Sequence, residues 1–303
     1  MRLPLALLLL LAACAGLPAA PPPACGFVGQ TTLPFAPVGP FAAVPSSADG
    51  TPVMLIVDTG AAETVLSADA AERARVTLDT HHIVRATGIG GTASYAVGRV
   101  GLLQLGAIPV TPAVVTIMPT VPVADGNLGM DILGDVDLDL DFPARRITLH
   151  RGRLCPGATP PWNTTAIELA TAALMPRTAP PGDRPRQLLV VMELDGEPAL
   201  AMLDTGAAGS VVARSFARRL GVSDAALAAS PAVPLAGLSP ETALGRLWRF
   251  RVAGIGTERF SGPLFLVADL PGAHYDVLLG MDYLANHRVW LSYSTRRIFL
   301  AQP

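Results

Sequence analysis

The sequence predicts a mostly β protein built from two tandem lobes of one design. Three observations predict it. The triplet Asp-Thr-Gly occurs at Asp58-Thr59-Gly60 and again at Asp204-Thr205-Gly206, each behind an apolar run and ahead of Ala-Ala. Further blocks around each copy recur in the same order. The composition, with 29 Gly and 29 Pro but only 5% aromatic residues, favours many turns and short strands over long helices. One such triplet arises by chance in roughly one chain in twenty of this length at ordinary residue frequencies, whereas two in matched frames mark an internal repeat.

The elements of each copy follow in order. Asp49-Gly50-Thr51-Pro52 matches Asp195-Gly196-Glu197-Pro198, at the same offset that separates Asp58 from Asp204. Asp-Gly between apolar runs signals a tight hairpin, so the second strand of each hairpin delivers the aspartate. Ser67 to Arg75 and Ala213 to Leu220 carry apolar residues at helical spacing, and Gly221 fits a helix stop. Leu128-Gly129-Met130-Asp131-Ile132-Leu133 matches Leu279-Gly280-Met281-Asp282-Tyr283-Leu284, after a short insertion in the second copy. Asp137 to Phe142 and Val289 to Tyr293 alternate and precede Arg145-Arg146-Ile147-Thr148-Leu149 and Arg296-Arg297-Ile298-Phe299-Leu300, so each half closes with a β-hairpin. A Pro-, Ala- and Thr-rich stretch then reads as a linker crossing between lobes without a core of its own. The expected organisation is a leader over residues 1–24, a first lobe over 25–154, the linker over 155–186 and a second lobe over 187–303.

A chain of 303 residues that is half hydrophobic can bury a sizeable core. Its formal charge of −2 gives no electrostatic case for nucleic acid. All 22 basic residues are Arg, which reads as compositional bias rather than function. The N-terminus has the form of a targeting segment: Arg2, the apolar run Leu5 to Leu11, then Leu11-Ala12-Ala13-Cys14. The last four residues resemble a bacterial lipobox, which implies cleavage before Cys14, lipidation of its thiol and a periplasmic, membrane-anchored product. An ordinary signal peptide cut near Ala19 or Ala20 is the alternative, and in either case the mature protein leaves the cytoplasm. Cys25 and Cys155 then remain, flanking the first lobe. In an oxidising compartment they are candidates for a disulfide, the other reading being two free thiols. There is no Cys-x-x-Cys, and His81-His82 has no matching ligand set, so no metal site is expected.

The apolar strand into Asp-Thr-Gly-Ala, a glycine-bearing segment and the Leu-Gly-Met-Asp block, present in each half, resemble the retropepsin-like aspartic proteases, above all their bacterial members. The resemblance covers most of residues 40–150 and 187–303 and implies two retropepsin-like β-barrel lobes in one chain, so that the catalytic unit is a monomer. It implies that Asp58 and Asp204 are the catalytic aspartates. It implies that Thr59 and Thr205 link the two aspartate loops, and that Gly60 and Gly206 permit a sharp turn and close backbone approach to the carboxylates. Thr87-Gly88-Ile89-Gly90-Gly91 resembles the flap that closes over substrate, unless these are ordinary glycine turns. Ala236-Gly237-Leu238-Ser239-Pro240 is the poorer counterpart. Asn127 departs from the pattern, standing where an apolar residue is usual, and either loosens the packing there or hydrogen-bonds locally.

Two carboxylates face to face cannot both ionise easily, so they share a proton and supply an acid and a base together. The expected reaction is hydrolysis of peptide bonds by a water held between Asp58 and Asp204, outside the cytoplasm, with no cofactor. Ala61 and Ala207 stand where pepsin-like relatives carry a hydroxyl that lowers a carboxylate pKa, which points to a less acidic optimum. Val84, Ile89, Leu235 and Leu238 are candidates for substrate pockets and equally for the core. A non-catalytic peptide-binding lipoprotein that retains the lobes is the alternative function. The segment from Cys25 to Pro45 is also a candidate cover over the cleft, as in a zymogen.

Overall fold

The computed structural model describes residues 25–162, 166–169, 188–237 and 243–301. The leader with Cys14, most of the 155–186 connection and Leu238 to Pro240 lie outside the described residues. Strands make up 54% of the structure and helices 11%.

Each Asp-Gly pair forms the tight turn expected of it. Asp49 and Gly50 have φ of 47° and 82°, and Asp195 and Gly196 have φ of 53° and 90°, the left-handed region that a two-residue hairpin turn demands. The turns join Phe41–Ala48 to Thr51–Val57 and Leu189–Leu194 to Glu197–Leu203. Each turn aspartate also ties down a distant loop. Asp49 accepts from the Gly101 and Leu102 amides at 3.0 and 2.7 Å, and Asp195 accepts from those of Arg251 and Val252 at 2.6 and 2.9 Å.

The two lobe sheets run in the same order. From the outer hairpin inward the first reads 77–88, 91–100, 113–118, 65–67, 126–128, 51–57, 41–48, 103–105, 108–110, and the second 232–235, 243–249, 264–268, 211–213, 277–279, 197–203, 189–194, 252–255, 258–261. Neither path closes into a barrel among the described residues. In both lobes the strand that ends at the aspartate lies parallel to the strand of the Leu-Gly-Met-Asp block. The helices Ala68–Arg73 and Arg214–Arg219 sit within the expected stretches, and Ser67 caps the first by accepting from the Ala70 amide at 3.1 Å. Gly221 stops the second at φ 85°. A further helix, Asp224–Ala229, is capped by Ser223.

The closing hairpins merge into one six-stranded sheet that joins the lobes. Its order is 26–34, 146–153, 137–141, 288–292, 297–301, 166–169. At the centre Asp137–Asp141 pairs antiparallel with Arg288–Ser292, with Leu138 opposite Leu291 and Leu140 opposite Val289. These leucines and Val289 belong to the main core. On the other face Arg288 grips Asp139 through two nitrogens at 2.9 and 2.6 Å, and Ser292 donates to Asp137 at 2.7 Å.

Within the connection between lobes, Ala166–Leu169 adds an edge strand paired with Ile298 to Ala301. Glu168 on that strand takes the Arg297 guanidinium at 2.7 and 2.5 Å. One expectation needs correction here: the segment from Cys25 to Pro45 does not cover the cleft. Gly26–Pro34 is consumed by pairing with Arg146–Arg153, and Phe41–Ala48 lies inside the first lobe sheet. Cys25 and Cys155 are joined by a disulfide that closes the ends of the first lobe.

His150, in this sheet, is 4% exposed and lies between Phe27 and Trp290, with ring centroids 4.8 and 4.5 Å away. Neither ring nitrogen has a hydrogen-bond partner among the described residues. Burial holds its pKa below 6.5, with Asp139 and Asp137 opposing that shift more weakly. The unfolded chain therefore takes up this proton first as the pH falls, and stability is lost progressively below about pH 6.5. His150→Phe should lose less stability than the parent between about pH 6.5 and pH 4, measured by urea unfolding across that range. Parallel curves for the two proteins would exclude a role for His150.

Candidate active site

Asp58 and Asp204 stand at the ends of two buried apolar strands, Thr51–Val57 and Glu197–Leu203. The Asp58 amide donates to Leu128 O at 3.0 Å and the Asp204 amide to Leu279 O at 2.9 Å, fixing each triplet over the strand of its Leu-Gly-Met-Asp block. The threonines then cross between lobes. Thr59 Oγ1 donates to Leu203 O at 2.7 Å, and Thr205 Oγ1 donates to Val57 O at 2.5 Å. Each hydroxyl also accepts the other threonine's amide at 3.1 Å. Both side chains are buried.

This crossing brings each glycine against the opposite acid. A Cβ built on Gly60 would lie 2.3 Å from Asp204 Cγ, and one on Gly206 would lie 2.3 Å from Asp58 Cγ. Neither glycine has positive φ. Glycine is required here by contact with the partner lobe's carboxylate, and not by a strained turn.

The two carboxyls are buried, each set against the glycine of the opposite triplet. Asp58 Oδ1 accepts the Gly60 and Ala61 amides at 3.1 and 2.9 Å, and Asp58 Oδ2 accepts Asn127 Nδ2 at 2.6 Å. Asp204 Oδ1 accepts the Gly206 amide at 2.8 Å. Desolvation raises the pKa of both, that of Asp204 well above the ordinary carboxylate value because the Asp58 charge adds to the burial.

Below the dyad a matched pair of props locks the loops. Thr64 Oγ1 donates to Asp131 at 2.7 Å and accepts the Gly129 amide at 3.0 Å. Ser210 Oγ donates to Asp282 at 2.6 Å and accepts the Gly280 amide at 3.0 Å. Sequence reasoning did not single out these four residues. Their signal was available, since Thr64 and Ser210 hold the same place after each aspartate, and Asp131 and Asp282 lie in the matched blocks.

Thr77–Gly88 and Gly91–Val100 form a hairpin whose turn is Ile89-Gly90, with φ of 94° at Gly90 and 121° at Gly91. Its tip reaches the second lobe. A Cβ on Gly237 would lie 2.1 Å from Ile89 O, and Thr87 Cγ2 lies 3.8 Å from a Cβ built on Gly272. Ile89 packs with Leu235 and Tyr275 against the cluster of Leu189, Met202 and Leu278. Val84 lies lower on the hairpin, opposite Tyr95. Tyr275, which sequence reasoning missed, is half-buried beside the dyad. Its phenol is pushed up to about 12 by burial and by the Asp204 charge.

A family model described as Aspartyl protease matches residues 44–132 and 190–283, more than half of the chain. The chain belongs to the aspartyl protease family. Both matched stretches begin in the Asp-Gly hairpin and end in the Leu-Gly-Met-Asp block, so the family pattern is present once per lobe in this aspartyl protease. Among solved structures the chain is similar in fold to an aspartic proteinase from Irpex lacteus, with a TM-score of 0.54 and 14% identity over 90% of this chain and 97% of that one. No curated protein matches the sequence.

The raised carboxyl pKa values carry a stability consequence for this aspartyl protease. A group whose folded pKa is raised contributes stability in full below its unfolded value, near 3.8, and that contribution is lost as the pH rises through the folded value. Asp204→Asn cannot ionise, so it should escape this loss. Its unfolding midpoint should gain on the parent between about pH 4 and pH 7, read in parallel urea titrations. A variant that loses ground over that interval would contradict the assignment of burial as the dominant cause.

Proposed function

We propose that this chain is an aspartic endopeptidase that hydrolyses peptide bonds with a water activated between Asp58 and Asp204, acting outside the cytoplasm. The observation that carries the reading is the pair of buried carboxyls, each against the opposite lobe's glycine and held by the Thr59–Thr205 exchange. Such a pair retains one proton over a wide pH range. The ionised member takes a proton from water as the water oxygen bonds to the peptide carbon, and the protonated member gives its proton to the carbonyl oxygen. Collapse of the resulting diol breaks the C–N bond. The first carboxyl passes its proton to the leaving nitrogen, and the second recovers one from a diol hydroxyl.

Substrate lies between dyad and flap. Ile89, Leu235 and Tyr275 lie half-buried against the apolar cluster of Leu189, Met202 and Leu278, which supports a preference for hydrophobic side chains beside the cleaved bond. One chain supplies both aspartates, so the catalytic unit is a monomer. The lipobox-like Leu11-Ala12-Ala13-Cys14 supports lipid anchoring through Cys14, and the Cys25–Cys155 bond supports an oxidising, extracytoplasmic compartment.

A mixed peptide library incubated from about pH 3 to pH 7 tests the chemistry, since that range spans the carboxylate titrations. Asp58→Asn and Asp204→Asn should each lower kcat/KM by at least about 10²–10⁴-fold, the share ascribed to general acid–base catalysis. Cleavage that survives both substitutions would refute the mechanism, and a parent protein that binds peptides without cleaving them would favour the binding reading. Anchoring is tested by fractionation. Cys14→Ser should move the protein from membrane to soluble fractions, and unchanged sedimentation with membranes would exclude lipidation at Cys14.

A further inference from the structure

Asn127 breaks the pseudo-twofold symmetry where it touches the dyad. It lies on Gly126–Leu128 in register with Ile56, two residues ahead of Asp58. Its counterpart Leu278 lies on Val277–Leu279 in register with Met202, two residues ahead of Asp204. The backbones are equivalent and the side chains differ in kind. Asn127 Nδ2 donates to Asp58 Oδ2 at 2.6 Å, whereas Leu278 packs into the apolar cluster beneath Ile89. Asp58 thus accepts two backbone amides and one side-chain amide. Among the described residues the Asp204 carboxyl accepts only the Gly206 amide, and it faces the Asp58 charge and the Tyr275 phenol.

The other half of the Asn127 amide is informative as well. Its Oδ1 is buried with no hydrogen-bond partner among the described residues. Nothing holds that oxygen, so the contact with Asp58 orients the group. A donor aimed at a carboxyl favours its charged form, and the bond strengthens as charge develops. The remaining acids nearby are engaged elsewhere. Glu63 takes the Thr116 hydroxyl at 2.6 Å, Asp131 that of Thr64 and Asp282 that of Ser210. The flap tip from Thr87 to Gly91 carries no ionisable side chain.

We propose that Asn127 is a positioning residue that sorts the dyad, holding Asp58 as the ionised carboxylate and leaving the shared proton on Asp204. The inference rests on the endopeptidase reading for its catalytic meaning: Asp58 takes the proton from water, and Asp204 protonates the carbonyl oxygen. The titration behaviour itself does not depend on turnover.

The test follows the Asp58 and Asp204 carboxyl carbons by 13C NMR during pH titration of the full chain. Asp58→Asn and Asp204→Asn assign the signals, and the pH profile of kcat/KM is measured in parallel. In the parent, Asp58 should move at the lower step and Asp204 at the upper. Asn127→Leu, which installs the residue of the other lobe, should raise the lower step and the acid limb of kcat/KM by about one to two pH units, the size expected of one hydrogen bond to a charged group. Asn127→Ala reads the same loss of donor should the leucine fail to fold. A lower step carried by Asp204, or one that stays in place in the variants while only stability falls, would overturn the proposal. If the signals shift as expected but no peptide is cleaved, the sorting stands and the endopeptidase reading fails.

Discussion

The exchange of hydrogen bonds between Thr59 and Thr205 is the constraint on which the site depends. A hydroxyl buried without a partner costs roughly 1–3 kcal/mol, and here the partners of each threonine lie in the opposite lobe. Each Oγ1 gives its hydrogen to the carbonyl that precedes the opposite aspartate and receives the opposite threonine's amide. Neither loop is satisfied alone. Once the exchange is made, the spacing between loops is set, and the space left beside each carboxyl admits only glycine. The carboxyls are then held together in a dry setting, where burial raises both pKa values and the Asp58 charge adds to the rise at Asp204.

On this near-symmetric frame the differences are few and local. Nine strands follow the same order in each lobe. The first lobe extends its outer hairpin so that its tip, Ile89, lands on the second lobe at Gly237. The second lobe offers a receiving surface of Leu235, Leu278 and Tyr275. Asn127 and Leu278 divide the roles beneath: one polar and turned to an acid, the other apolar and packed beneath Ile89. Symmetry thus supplies the shared site, and departures from it supply direction.

Much of this was legible in the sequence wherever the cause is local. The Asp-Gly turns, the Ser67 cap and the Gly221 stop are set by backbone preferences of a few residues. The Asp-Thr-Gly repeat declared the site because two copies shared one frame. What escaped depends on which distant strands meet. The pairing of Asp137–Asp141 with Arg288–Ser292 leaves no mark in local periodicity, since alternation predicts a strand and not its neighbour. Tyr275 sits in an irregular loop, and only the packing brings its phenol towards Asp204. For Asn127 the sequence left two outcomes open, and the register with Ile56 decided between them by placing its amide beside Asp58.

The six-stranded sheet between the lobes has a consequence for how the halves stay together. Its central ladder, the Arg288–Asp139 grip and the threonine exchange all join residues from opposite ends of the chain. None of these runs through the covalent connection after Leu169. The two lobes therefore behave as a dimer that happens to be tethered. A peptide bond cut in that connection would leave a two-piece protein held by the same contacts. The halves, made as separate chains, carry complementary surfaces by which to find one another.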